Sequence, residues 1–133
     1  ITGKAGGKII NIGSAYSLFG PPDFCDYAAA KTGVVGLTRA LAVELATHDI
    51  QVNAILPGWV PTDLTHGVPE SPRGEEIRCY TPAGRWGKPE DLVGAAIFLS
   101  SAASDFVTGT CIPVDGGYVI TERNVHRDEG TSG

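Results

Sequence analysis

Residues 8–31 read KIINIGSAYSLFGPPDFCDYAAAK, and this stretch decides the fold. Ile9, Ile10 and Ile12 form a short β-branched run that predicts a strand buried on both faces, as in a parallel sheet. The turn-forming GPPDF interrupts the chain. Asp23 or Asp26 then marks the start of a long helix running to about residue 48, because an acceptor side chain suits the free N–H groups of a first turn. Tyr27 and Lys31 stand at i and i+4, so their phenol and ammonium share one helix face. Ser14 follows the strand directly. A hydroxyl at a strand end, a phenol and an amine are the parts of a proton-transfer site.

Working outward, Val34, Leu37, Leu41 and Leu45 recur at spacings of three and four and predict the apolar stripe of that helix. Ala28, Ala29, Ala30, Ala40 and Ala42 are small enough to let the sheet or another helix approach closely. IQVNAIL (50–56) predicts a second buried strand, stopped by Pro57-Gly58. Residues 59–88 carry Pro61, Pro69, Pro72 and Pro82 and predict an irregular segment with at most one or two short helices. A segment of this length without strong periodicity points to function. A helix over 89–100 follows, with Pro89 at its first position and Glu90 and Asp91 at its positive end. Its residues are apolar on every side, which predicts burial nearly all round. A last strand over about 110–114 contains Pro113, which suits a sheet edge. Asp115-Gly116-Gly117 turns the chain, and the polar residues beyond 120 predict a mobile tail. The order strand, helix, strand, irregular segment, helix, strand is an α/β pattern with parallel strands. The run IINIG is too apolar for an open edge and calls for a neighbour on each side.

The bulk composition narrows the function. The 133 residues are 42% hydrophobic and 19% charged, as in a soluble globular domain. The net charge of −5, without a basic run, argues against nucleic acid or an anionic membrane as partner. No apolar run is long enough to span a bilayer. Cys25, Cys79 and Cys111 are few and unclustered, predicting a reducing, cytoplasmic setting without a disulfide framework. Of these, Cys25 reads as a buried structural thiol in preference to a pocket residue. His48, His66 and His126 read as surface residues, with no metal-ligand spacing.

Taken together, Ser14, Tyr27-x-x-x-Lys31, Pro57-Gly58, GRWGKPEDLVGAAIFLSS (84–101) and VDGG (114–117) resemble the C-terminal half of a short-chain dehydrogenase/reductase, over about residues 4–119. A lone Y-x-x-x-K is a weak signal; the ordered set at this spacing is specific. The resemblance implies the C-terminal part of a doubly wound, Rossmann-like domain over residues 1–119, with 120–133 as its tail. It also implies an enzyme that interconverts a secondary alcohol and a ketone using NAD or NADP. The text around 81–110 is most similar to sugar and sugar-acid dehydrogenases, with ketoacyl reductases close behind.

Carried over, Tyr27 is the general acid/base, and Ser14 binds the reacting oxygen of the substrate. Lys31 holds the nicotinamide ribose and favours the phenolate. Pro57-Gly58 passes beside the nicotinamide, and Val60 and Thr62 meet its carboxamide or the pyrophosphate. Trp59 either shapes the substrate pocket or packs on the irregular segment. Arg85 either binds a substrate anion or pairs with the Glu90/Asp91 region, the second being the simpler role. Asn11 lies inside the strand and takes no catalytic part. The family's phosphate-binding glycine loop, its NAD/NADP-selecting residue and its catalytic Asn have no counterpart in the sequence. The chain therefore reads as the catalytic half of a domain of roughly 250 residues, assembling as a homo-dimer or tetramer. The alternative is an inactive fragment stabilised by pairing its uncovered faces with another chain.

Overall fold

The computed structural model describes residues 6–122 and 125. His126 and most of the predicted mobile tail lie outside the described residues. Three parallel strands form one sheet in the order β1 (Gly7–Ile12), β2 (Ile50–Pro57), β3 (Cys111–Val114). Ile9 pairs with Val52 and Ile12 with Ile55, while Leu56 pairs with Pro113. Pro113 thus stands on an edge strand, where its missing N–H costs no ladder bond. The helices are α1 (Cys25–Leu45), α2 (Pro72–Tyr80) and α3 (Val93–Ser100). The predicted order of elements is the observed one, with α2 as the one α-helix of the irregular segment. No helix among the described residues is long and apolar enough to cross a membrane.

The middle strand organises the core. Val52, Ala54, Ile55 and Leu56 are all buried. Residues alternate between sheet faces, so burial of both Ile55 and Leu56 means that β2 is covered on both sides. On one face, Ala54 and Leu56 pack with Val35 of α1, and Cys111 sits against them. Asn53 is buried too, and its amide is satisfied at both ends. Its Nδ2 donates to the Val107 carbonyl at 2.8 Å, and its Oδ1 accepts from Thr110 N–H at 3.1 Å. One buried amide thereby fixes where the chain enters β3, and leaving either end unmet would cost about 1–3 kcal/mol.

Four expectations need correction. β1 is only half-buried and Ile12 is 52% exposed, because β2 alone pairs with it among the described residues. The buried line of α1 is Val35, Thr38 and Ala42, while Leu37 is exposed. Ala42 lies against the loop that leads into β3, its Cβ 3.5 Å from where a Gly109 side chain would begin. Thr38 fills its place by donating to Val34 O at 2.7 Å and accepting from Asn11 Nδ2 at 3.0 Å. On α3 only Leu99 is buried, and Val93 and Ile97 face outward. Its apolar residues are more than the described sheet can cover. Finally, Cys25 is exposed at the start of α1, not buried.

Candidate active site

The site begins where β1 leaves the sheet. Gly13 N–H still bonds to Ile55 O at 2.9 Å, but a Cβ there would lie 2.4 Å from Leu56 Cδ2 and 2.9 Å from Ser17 Oγ. A larger residue would have to displace the Leu56 and Ser17 side chains, and Ser14 follows Gly13 into a capped turn, Ala15–Ser17. Ser14 Oγ accepts from Tyr16 N–H at 3.1 Å, leaving its own proton to donate. Ser17 completes the turn and does more. Its Oγ accepts from Ser14 N–H at 3.1 Å and donates to Lys31 O at 2.7 Å. It thereby ties the strand end to the helix that carries Tyr27.

Tyr27 lies in the first turn of α1, where Asp26 Oδ1 accepts its N–H at 2.8 Å. The helix start is not capped by Asp23; Phe24 holds the cap position without a side-chain bond. Lys31 reaches back to the sheet and donates to Ile12 O at 3.2 Å. Its ammonium is also 5.8 Å from the Tyr27 ring centroid, inside the range for cation–π attraction. The last residue of β1 and the first two turns of α1 thus converge, bringing Ser14, Tyr27 and Lys31 to one corner of the sheet. That corner is the carboxyl end of the parallel strands, where α/β sheets bind ligands.

An aromatic wall borders this corner. Tyr16 is buried against Phe19 (5.1 Å between centroids), Phe24 (5.8 Å), Tyr27 (6.1 Å) and Trp59 (5.8 Å). Trp59 continues the wall to Trp86 at 5.5 Å and Tyr118 at 6.3 Å. Trp59 thus lies against Tyr16 on one side and packs on Trp86 of the irregular segment on the other. Burial pushes the Tyr16 phenol above its ordinary pKa of 10.0. Tyr16, Ser17, Trp86 and Tyr118 are not legible from the motif. Their signal is position, two of them lying within three residues of Ser14.

Pro57-Gly58 ends β2 with Gly58 N–H bonded to Val114 O at 3.0 Å. A Cβ on Gly58 would lie 2.6 Å from Asp115 Cβ and 2.7 Å from its Cα, so this glycine lets two chain segments touch. Asp115 accepts from Gly117 N–H and Val119 N–H, each at 2.9 Å, making the predicted turn. Val60 and Thr62 are carried into the next loop. Thr62 N–H bonds to Thr65 Oγ at 2.9 Å, and Thr65 Oγ also donates to Val60 O at 3.3 Å. A cleft of about 250 Å³ lies between these loops, lined by Trp59, Val60, Arg85, Asp91, Asp115 and Gly116 among others. Ser14, Tyr27 and Lys31 are not among its lining residues.

Arg85 takes the simpler of its two roles. It forms a two-pronged ion pair with Asp91, at 2.7 and 3.0 Å, and Asp91 also accepts Lys88 N–H at 2.8 Å. The Arg85 guanidinium first, and the Lys88 N–H second, bring the Asp91 carboxyl from 3.8 down to about 2. Because the folded value is the lower one, the pairing stabilises the fold above pH 4 or so and is lost as pH falls towards 2. The stability difference between the wild-type full-length protein and Asp91→Asn should therefore be constant above that window. It should vanish as chemical denaturation is repeated from pH 4 down to pH 2.

Comparison with known proteins decides the family. A family model described as enoyl-(acyl carrier protein) reductase matches residues 2–119. A 2-dehydro-3-deoxy-D-gluconate 5-dehydrogenase of Dickeya dadantii is 50% identical over 115 residues, covering 86% of this chain and 46% of that protein. The chain belongs to the short-chain dehydrogenase/reductase family. Among solved structures of the family, a putative 2-deoxy-D-gluconate 3-dehydrogenase of Agrobacterium tumefaciens with bound NADP superposes with a TM-score of 0.85. It is 46% identical, covering 89% of this chain and 48% of the other. A gluconate 5-dehydrogenase of Burkholderia cenocepacia, in complex with NADP and tartrate, gives a TM-score of 0.83 at 44% identity, covering 87% and 46%. The chain thus spans about half the length of the family relatives it matches.

Proposed function

We propose that the full-length protein is an NAD(P)-dependent oxidoreductase that interconverts a secondary alcohol and a ketone on a sugar acid, with Tyr27 as general acid/base. The observation that carries this reading is the convergence at the end of β1. There Lys31 bonds to Ile12 O and faces the Tyr27 ring, and Ser14 is the next residue but one after Ile12. The sugar-acid class is supported by the activities named for the relatives.

The residues present fit a nicotinamide riboside. Lys31 has three N–H donors, and its bond to Ile12 O uses one of them, leaving donors for ribose hydroxyls. Tyr27, Lys31, Pro57, Gly58, Val60 and Thr62 would hold that half of the dinucleotide. Bound there, the nicotinamide would supply or accept the hydride. In the reducing direction the Tyr27 hydroxyl gives its proton to the substrate oxygen. The Ser14 hydroxyl donates to the same oxygen as negative charge develops on it, a contact that lowers the barrier because it is strongest in the transition state. The Lys31 ammonium stabilises the phenolate left behind. Trp59, beside Tyr16, would border the substrate.

We place the protein in the cytoplasm, from its few, unclustered cysteines, and as a homo-oligomer, a reading supported by the outward apolar residues Leu37 and Val43 of α1 and Ile97 of α3. The same uncovered faces and the one-sided pairing of β1 are what favour the second reading, a catalytically inactive chain held by a partner. Transfer of hydride from NADPH or NADH to a keto sugar acid by the full-length protein separates the two. Turnover is expected; absence of both turnover and nicotinamide binding would favour the second.

A further inference from the structure

One hydroxyl at the corner belongs to no residue of the Ser14, Tyr27, Lys31 set. Ser17 is 6% exposed and closes the turn that begins at Ser14. A serine hydroxyl has one proton to give and two lone pairs to accept with. Ser17 gives its proton to Lys31 O at 2.7 Å and accepts Ser14 N–H at 3.1 Å. A single oxygen atom therefore stands between the residue that follows β1 and the helix that carries Tyr27. It is also confined, because a Cβ on Gly13 would lie 2.9 Å from it. Ser14 and Ser17 form a reciprocal capping box across the turn, so the two residues hold one another's backbone in place.

The place where Ser17 anchors matters. Lys31 lies one helical turn beyond Tyr27 in α1, so its carbonyl belongs to the same regular stretch as the phenol. Lys31 is tied to the strand end twice, by its ammonium on Ile12 O at 3.2 Å and by its carbonyl through Ser17. The two ties differ in what they fix. Ile12 O lies before Gly13, whereas the Ser17 tie runs on to Ser14 itself. Ser17 thus sets where Ser14 stands relative to α1. That separation decides whether the Ser14 and Tyr27 hydroxyls can both reach one substrate oxygen, and misplacement of reacting groups loses rate steeply.

We propose that Ser17 is a positioning residue for the reaction: its hydroxyl, bridging Ser14 N–H and Lys31 O, holds Ser14 at the distance from Tyr27 at which both bind the same substrate oxygen. This rests on the oxidoreductase reading above and adds to it a residue that acts through Ser14 without touching substrate or cofactor.

The test uses the full-length protein with NADPH and 5-keto-D-gluconate, with product quantified by mass spectrometry so that slow turnover is still read. Loss of a whole oxyanion donor costs about 10²–10³-fold, so misplacing Ser14 in Ser17→Ala should lower kcat by about 10–100-fold. NADPH binding, followed by cofactor fluorescence, should be retained, because Ser14 is not among the groups that would hold the dinucleotide. Ser17→Thr keeps the hydroxyl and should recover most of the rate. In a Ser14→Ala background, Ser17→Ala should cost no more than about twofold, because nothing is left for it to position. A merely structural role would lower NADPH binding together with rate, and would cost the same factor with or without the Ser14 hydroxyl. That pattern overturns the proposal, as does an unchanged kcat in Ser17→Ala. If Ser17→Ala does not fold, Ser17→Thr decides: a folded, NADPH-binding Thr variant with wild-type rate supports the proposal, and one without it overturns it. A wild-type protein that neither binds NADPH nor reduces a ketone would sink the oxidoreductase reading and this proposal together. An active wild type beside an equally active Ser17→Ala would sink the positioning role alone.

Discussion

Tyr27→Phe in the full-length protein is expected to lower kcat by about 10²–10⁴-fold, the usual contribution of a positioned general acid/base, while KM changes little. The asymmetry follows from the surroundings of the ring. Tyr27 is held by its edge contact with Tyr16 and by the Asp26 bond to its backbone, and both survive the substitution. Its hydroxyl makes no hydrogen bond to another described residue, so the fold loses no partner when it is removed. Steady-state rates beside a circular-dichroism melt would check both halves. A variant that melts like wild type but keeps more than a tenth of the rate would remove Tyr27 from the chemistry.

The second large effect is expected at Gly58. A methyl group there must displace Asp115, backbone included, and overpacking of this kind costs about 1–3 kcal/mol. Displacing Asp115 also disturbs its bonds to Gly117 and Val119 N–H, and with them the turn against which Ala83 N–H pairs with Gly116 O. Gly58→Ala should therefore lower the urea midpoint and, because Trp59 is the next residue, reduce activity as well. An unchanged midpoint would mean that the two loops separate at no cost. The contrast with Tyr27 is informative: one substitution should remove rate and leave stability, the other should reduce both.

How much of this was legible in the sequence differs by element. The strands and α1 were, because periodicity and the Pro57-Gly58 stop are local signals. The shared helix face of Tyr27 and Lys31 was legible because residues at i and i+4 lie together on a helix, whereas the roles proposed for them and for Ser14 rest on the family resemblance. The burial of α1 and α3 was not. Leu37 and Ile97 look like core residues by composition, but burial depends on whether another surface arrives, and none does among the described residues. The exposure of Cys25 was missed for the same reason. Thr38, conversely, looked polar and is fully buried, since its hydroxyl is satisfied by Val34 O and Asn11 Nδ2. Ser17 escaped notice because its part depends on the carbonyl of Lys31, on another element. The close approach of Gly58 to Asp115 was not legible, because it depends on a turn far along the chain.

On the proposed function, this corner moves a proton in step with a hydride between a nicotinamide and a carbinol carbon. Its most direct test is to supply the full-length protein with NADPH deuterated at the transferable position and a 5-keto sugar acid, then to locate the label by mass spectrometry. The account predicts one deuterium on the carbon bearing the new hydroxyl, in wild type and, at a far lower rate, in Tyr27→Phe. Product formed without deuterium, or labelled product formed equally fast by both proteins, would contradict it.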